Sequence, residues 1–120
     1  MDTKQVADEF TRMLKAGQPD AAGHRFWGDD VVSIEAMEGP MARVEGRKAV
    51  EQKSEWWYAN HEVHSFQTEG PFVNGDQFAL RFQIAVTPKT GEQAGKRTDM
   101  TEVGLYTVRG GKIVEERFYY

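Results

Sequence analysis

The chain has 120 residues, of which 39% are hydrophobic and 28% charged, a composition typical of one globular domain rather than a disordered segment. A net charge of −4 argues against a nucleic-acid surface, and the absence of cysteine excludes disulfides, thiolate metal sites and a cysteine nucleophile. We see no signal peptide and no apolar run long enough to span a bilayer, so we expect a cytoplasmic protein without membrane contact.

Two helices are predicted at the N-terminus. Asp2 or Thr3 can cap the first, which ends near Gly17 and carries apolar residues at helical spacings: Val6, Phe10, Met13 and Leu14. Pro19 suits the first turn of a shorter second helix that runs to about Trp27.

A strand and a third helix follow. Residues 31–35 form a β-branched run typical of a strand, which Gly39-Pro40 ends. A third helix is predicted over residues 47–60. Its apolar residues recur at a spacing of seven, so Trp56 and Trp57 both continue one broad apolar face.

The second half of the chain predicts strands joined by hairpins. A strand over residues 63–73 turns at Asn74-Gly75, where both residues tolerate positive φ. The next strand alternates in polarity and places one apolar set on a single face: Phe78, Leu80, Phe82, Ile84 and Val86. Strands over 98–109 and 112–120 follow, joined by Gly110-Gly111. Helices followed by hairpin-connected strands predict a single α+β domain over 1–120 with an antiparallel sheet.

The element order and three phrases, EWWYANHEVHS, EGPFVNGDQFA and EVGLYTVRGGKIVEERFYY, resemble the SnoaL-like families of the NTF2-like superfamily. The resemblance implies an NTF2-like cone, with three N-terminal helices packed on a strongly bent, mainly antiparallel sheet and a pocket at the open end. It also implies a homodimer formed through the sheet. The superfamily contains ketosteroid isomerase-like enzymes, polyketide cyclases and epoxide hydrolases, and also domains that only bind or assemble.

Three functional positions of the isomerase-like branch can be compared with this chain. The resemblance places Glu35 at the position of the general base. Phe10 falls at the position of a tyrosine oxyanion donor, and a phenyl ring has no hydroxyl. The position of a protonated aspartic acid matches Gly104, and Glu102 is the nearest carboxyl on the same face. Authentic steroid isomerase chemistry is therefore not expected.

Glu35 follows an apolar run. If it faces the interior of the cone, loss of water would tune it as a proton acceptor near neutral pH. The alternative is a carboxylate that faces solvent or pairs with a nearby arginine, for which the candidates are Arg43, Arg47 and Arg81.

The histidines predict no metal site. His61 and His64 are three residues apart, and in a strand such positions point to opposite faces. His64 lies two residues before Phe66 and would point to the same face of a regular strand. One interpretation is therefore an imidazole that faces the pocket and shuttles protons. The other is a hydrogen-bonded histidine at the edge of the sheet.

The pocket is predicted to hold a small hydrophobic molecule without a cofactor. Its catalytic residues would be Glu35, His64 and Glu102, acting on a carbonyl-type substrate in an isomerase, cyclase or hydrolase reaction with Glu35 as general base. Its lining would be aromatic: Phe10, Trp56, Trp57, Phe82, Tyr106 and Phe118. The alternative function is a non-catalytic domain that binds a ligand or assembles as a dimer.

Overall fold

Three helices and six strands make up the fold of the computed structural model, which describes residues 1–120. The helices are α1 (Thr3–Lys15), α2 (Pro19–Phe26) and α3 (Arg47–Asn60). The strands are β1 (Trp27–Ile34), β2 (Arg43–Glu45), β3 (His61–Asn74), β4 (Gln77–Pro88), β5 (Thr98–Arg109) and β6 (Lys112–Tyr119). The bounds of α3 and β5 match the prediction, whereas β1 begins at Trp27 rather than Val31 and the short β2 was not predicted.

Asp2, rather than Thr3, caps α1. Its carboxylate accepts a hydrogen bond from the Gln5 backbone N–H at 2.8 Å, and the Gln5 side chain accepts one from the Asp2 N–H at 2.9 Å. This reciprocal pair satisfies two N–H groups that the helix leaves without partners. The helix then buries one face against the sheet through Val6, Ala7, Phe10 and Met13.

The six strands form one sheet in the order β2-β1-β6-β5-β4-β3. Every neighbouring pair is antiparallel except β1 and β6, which run parallel, so the sheet is mixed although mainly antiparallel. The prediction of a mainly antiparallel sheet is confirmed; the hairpin signals account for antiparallel pairs but do not indicate the one parallel pair of β1 and β6. A helix and four strands separate β1 from β6 along the chain, which is more than the crossover that parallel pairing needs.

The core lies between the helices and the inner face of the sheet. The predicted alternation of β4 is confirmed, since its apolar set is buried: Phe78, Leu80, Phe82, Ile84 and Val86. The Phe10 ring of α1 lies 5.1 Å from the Tyr106 ring, which stacks on Phe78 at 4.9 Å. Aromatic rings therefore fill the part of the interior under α1. None of the helices combines the length and apolar character that crossing a membrane requires.

Candidate active site

The parallel pairing of β1 and β6 brings polar groups together inside the sheet. Ser33 of β1 lies opposite Glu116 of β6, and both side chains are buried. Glu35 follows β1 on the same face as Ser33, because side chains two residues apart in an extended chain point the same way. Its backbone N–H donates to the Ala42 carbonyl at 2.7 Å, which holds this end of β1 in place.

Lys53 of α3 is the ion-pair partner of Glu35. Its Nζ lies 2.7 Å from Glu35 Oε1 and donates to Ser33 Oγ at 2.8 Å. The lysine side chain is 13% exposed and the glutamate side chain 19%, so water screens this pair far less than a surface pair. Val50, one turn earlier on the same helix face, is buried in the core.

The alternative in which an arginine pairs with Glu35 is not what the structure shows. All three candidates pair with other glutamates: Arg43 with Glu45, Arg47 with Glu51 and Arg81 with Glu69. Residue spacing did not indicate Lys53 as this partner, because the docking of α3 over β1, a tertiary arrangement, decides which cation reaches Glu35.

Glu116 is a buried carboxyl with two hydrogen-bond donors. The Trp27 indole Nε1–H donates to Oε1 and the Ser33 hydroxyl donates to Oε2, each at 2.8 Å. Burial raises the pKa of Glu116, while the two hydrogen bonds oppose that rise. Glu116 is not among the predicted site residues, although its even-numbered position on β6, shared with Phe118, indicates the inner face.

Tyr120 covers the second oxygen of Glu35. Its hydroxyl donates to Glu35 Oε2 at 2.9 Å. Burial raises the pKa of Tyr120 to about 12, and the hydrogen bond to Glu35 contributes to the rise. The phenol therefore stays neutral in the physiological range and acts as a donor.

Glu102 of β5 completes the group of carboxyls. It is half-buried on the inner face opposite Phe82, and it forms no hydrogen bond or ion pair within the protein. The pKa of Glu102 is raised to about 7, mainly by burial and also by the Glu35 carboxylate, while the Lys53 ammonium opposes the rise. This carboxyl can therefore gain and lose a proton near neutral pH.

Tyr106 places a phenol beside Glu102. A Cβ added to Gly104 would lie 2.9 Å from Tyr106 Cε2 and 3.0 Å from its hydroxyl oxygen, so only glycine lets the ring lie along β5 in this way. The hydroxyl forms no hydrogen bond within the protein. Burial raises the pKa of Tyr106 well above 10, and the Glu116 and Glu102 carboxyls add to that rise. Phe10 of α1 has no hydroxyl, but Tyr106 of β5 supplies a phenol next to it.

His64 lies outside this cluster. A β-bulge occurs between Val63, which pairs with Val86, and Ser65, which pairs with Ala85. The bulge interrupts the regular alternation of side chains along β3. His64 and Phe66 therefore need not point to the same face, as the pocket-facing interpretation of His64 required. Its imidazole is exposed, with Nε2 2.7 Å from Thr87 Oγ1. The pocket-facing interpretation was therefore wrong, and the geometry is that of the edge histidine.

The predicted aromatic lining divides into three groups. Phe118 lies 6.3 Å from the Tyr106 ring and 5.6 Å from Lys53 Nζ, so it borders the cluster, and the buried Phe82 lies opposite Glu102. Phe10 belongs to the core. On α3, Trp57 packs against the core whereas Trp56 is 48% exposed, which removes Trp56 from the predicted lining. Neighbouring helix residues differ by about 100° in direction, so only one ring can face inward.

Two surface clefts lie away from these groups. One, of about 370 Å³, is lined mainly by α2 and α3, with Asp20, His24, Glu51 and Glu55 on its walls. The other, of about 380 Å³, is bordered by Asp30, Glu45 and Gly46. Neither is the predicted apolar pocket.

We take the Glu35–Glu102 cluster as the candidate site because partly buried groups of both charges converge there. No group of three or more metal-ligating side chains is placed to hold a metal ion.

The family model described as the SnoaL-like domain matches residues 1–120. The chain belongs to the SnoaL-like family. A solved structure from Mesorhizobium loti is 56% identical to this SnoaL-like protein, covers 100% of both chains and has a TM-score of 0.95. That protein is provisionally named a SnoaL-like polyketide cyclase and also labelled a carbohydrate phosphatase. None of the curated proteins matches this SnoaL-like chain significantly.

Two more distant structures show the same fold. An NTF2-like protein from Burkholderia thailandensis is 14% identical, with a TM-score of 0.82 over 99% of this chain and 90% of that one. A hypothetical protein with a ketosteroid isomerase-like fold, from Catenulispora acidiphila, is 18% identical, with a TM-score of 0.73 over 98% and 86%. The predicted α+β fold of three helices on a mainly antiparallel sheet is therefore confirmed for this SnoaL-like protein.

Proposed function

We propose that this SnoaL-like protein catalyses proton transfer on a small hydrophobic carbonyl compound, with Glu102 as the acid and Glu35 as the base. The observation that carries the proposal is the half-buried Glu102 carboxyl, which has no partner in the protein and lies near the Glu35 carboxylate. Two carboxyls in different environments divide the roles of acid and base between them. The reaction needs no cofactor.

Glu35 keeps the capacity to accept a proton. Lys53 and Tyr120 each contact one of its two oxygens, and a carboxylate has about four lone-pair sites in all. The two contacts fix the orientation of the carboxylate and leave lone pairs free. Glu35 can therefore remove a proton from the carbon next to a carbonyl group and return it to another position.

Glu102 and Tyr106 can stabilise the charge that this step creates. When the C–H proton moves to Glu35, the electron pair moves onto the carbonyl oxygen. The protonated Glu102 carboxyl and the Tyr106 hydroxyl are neutral donors with no other partner, and either can donate to that oxygen. The provisional name of the M. loti relative, polyketide cyclase, fits this chemistry, because ring closure between carbonyl groups begins with the same proton removal.

Deuterium exchange tests the proposal. Wild-type protein in D2O is expected to accelerate exchange at the α-carbon of small hydrophobic ketones, such as acetophenone and 1,3-diketones, in a saturable manner observed by proton NMR. The control is Glu45→Gln, which changes an exposed carboxylate on β2 and should leave the rate unaltered. Binding of a ketone without any acceleration would contradict catalysis and support the ligand-binding alternative.

The outer face of the sheet favours the assembly part of that alternative, which is compatible with catalysis. Val103 on β5 and Tyr119 on β6 pair directly, and their side chains are 38% and 50% exposed. Exposed apolar groups side by side on an open sheet are typical of a surface that contacts another molecule. We propose a second copy of this chain as that partner.

The double variant Val103→Glu/Tyr119→Glu is expected to be monomeric, because opposing copies would bring four new carboxylates together in place of apolar side chains. Light scattering during size-exclusion chromatography measures this. Wild-type protein should show about twice the chain mass of 13.6 kDa, and Thr90→Glu, in the exposed β4–β5 loop, should match it. A monomeric wild-type protein would contradict the dimer.

A further inference from the structure

Lys53 links the candidate site to the interior of the protein. Its ammonium group contacts Glu35 Oε1 at 2.7 Å on one side and Ser33 Oγ at 2.8 Å on the other. A surface lysine moves freely among many rotamers, but this side chain is only 13% exposed and is held from two directions. Its position is therefore set by the residues behind it.

Those residues form what we call the Glu116 anchor, which consists of Trp27, Ser33 and Glu116. All three are buried, and both oxygens of Glu116 are occupied at 2.8 Å. The Ser33 hydroxyl has one proton, and it donates that proton to Glu116 Oε2. Ser33 consequently presents a lone pair to Lys53, which can only donate. The direction of every hydrogen bond from Trp27 to Lys53 is thus fixed.

The position of Lys53 affects the titration of Glu102, because Lys53 is one of the charged groups around that carboxyl. The titratable groups that face it come from every element around it: Glu35 after β1, Lys53 and Tyr58 on α3, Tyr106 on β5, Glu116 on β6 and Tyr120 after β6. Lys53 is the one cation in this set. Burial is the main cause of the raised pKa of Glu102, and the position of this one ammonium group determines how strongly that rise is opposed.

We propose that Lys53 is the positioning residue of this site: the Glu116 anchor holds its ammonium group against Glu35, where it sets the electrostatic environment of Glu102. The inference rests on the proposed function, because its effect on catalysis passes through the proton exchange at Glu102. Lys53 acts through the two glutamates and does not contact the substrate. Ser33 and Glu116, deeper in the protein, act through Lys53.

A carboxyl titration measures this role directly. Lys53→Met keeps the aliphatic stem but removes the charge that opposes the raised pKa of Glu102, so that pKa should rise further, by about one unit or more. Ser33→Ala removes the anchor's contact with Lys53 and should cause a smaller rise, which Ser33→Thr should reverse by restoring a hydroxyl. Lys48→Met, an exposed lysine on the same helix, should cause no change.

The measurement is 13C NMR of protein labelled at the glutamate carboxyls, with the Glu102 signal assigned by its loss in Glu102→Gln. The Trp27 indole N–H signal reports whether each variant retains the folded anchor; if Lys53→Met does not fold, Ser33→Ala provides the test. In ketone exchange, the pH above which kcat falls should shift upward with the Glu102 titration while KM stays constant. If Lys53 had a purely structural role, neither the titration of Glu102 nor the pH dependence of kcat would shift.

The outcomes separate the two proposals. An ordinary titration of Glu102 in the wild type, near pH 4.5, would overturn the proposed function and this inference with it. A titration near neutral pH that stays the same in folded Lys53→Met and Ser33→Ala would overturn the positioning role alone. A titration that rises in both variants and returns in Ser33→Thr supports it.

Discussion

Replacing Glu102 with glutamine is expected to slow ketone exchange about 100- to 10,000-fold, the range that general acid–base groups contribute. Glutamine has nearly the same shape as glutamic acid but cannot transfer a proton. Because the Glu102 carboxyl forms no hydrogen bond or ion pair within the protein, the substitution breaks no structural contact. The loss of rate should therefore occur in a folded protein, measured by NMR at a saturating ketone concentration.

The pH dependence of this loss has a defined sign. Burial raises the pKa of Glu102 to about 7, so the acid form predominates below that pH and the carboxylate above it. The wild-type rate should fall as the pH rises past neutrality, and the difference between wild type and Glu102→Gln should shrink in parallel. Asp99→Asn, an exposed substitution on the same strand, is the matched control. A Glu102→Gln variant with the wild-type rate would remove Glu102 from the chemistry.

The elements predicted correctly are those with local signals. The Asn74-Gly75 turn and the alternation of β4 depend on neighbouring residues, and both are confirmed. Trp27 shows where local signals fail, since the prediction ended the second helix there and the structure begins β1 there. Its ring packs so closely on Gly23 that an added Cβ would lie 2.5 Å away, and its indole binds Glu116 far along the chain. The spacing of apolar residues along the chain does not predict a contact as distant as that between Trp27 and Glu116.

The residues of the candidate site also divide into those that local signals predict and those that they do not. Strand parity places Glu102 and Tyr106 on one face, and the structure agrees because β5 pairs with β4 without a bulge. Parity fails for His64 because β3 contains a bulge at that residue. Lys53 could have been found from its spacing, since it lies three residues after Val50 and four before Trp57, on the buried face of α3. Its partners, Ser33 and Glu35, depend on the docking of α3 over β1, which no local signal predicts.

The stability of the protein is expected to fall as the pH rises from about 5 to 8.5, and Glu102 should supply a large share of the change. Its pKa is about 7 in the folded protein against 4.5 ordinarily, so the folded state binds this proton more tightly than the unfolded chain does. The resulting stabilisation is fully present below pH 4.5 and is lost as the pH rises through 7. A shift of this size corresponds to about 3 kcal/mol.

Glu102→Gln isolates this contribution. The variant keeps a neutral side chain at every pH, so its free energy of unfolding should decline less steeply, and by pH 8.5 it should exceed that of the wild type by about 2 to 3 kcal/mol. Glu116, whose pKa burial also raises, acts in the same direction in both proteins. Glu9 acts oppositely, because the hydrogen bond from Arg12 lowers its pKa to about 2, and Glu9 is the same in both proteins.

Urea denaturation followed by tryptophan fluorescence at pH 5 and 8.5 gives the four free energies, with Asp99→Asn expected to follow the wild type at both. An equal difference between wild type and Glu102→Gln at the two pH values would mean that Glu102 does not titrate between them. The carboxyl would then already be ionised in the folded protein at pH 5. An ionised Glu102 could not donate a proton to a carbonyl oxygen, so the same equilibrium measurement also tests the assignment of the acid without requiring a substrate.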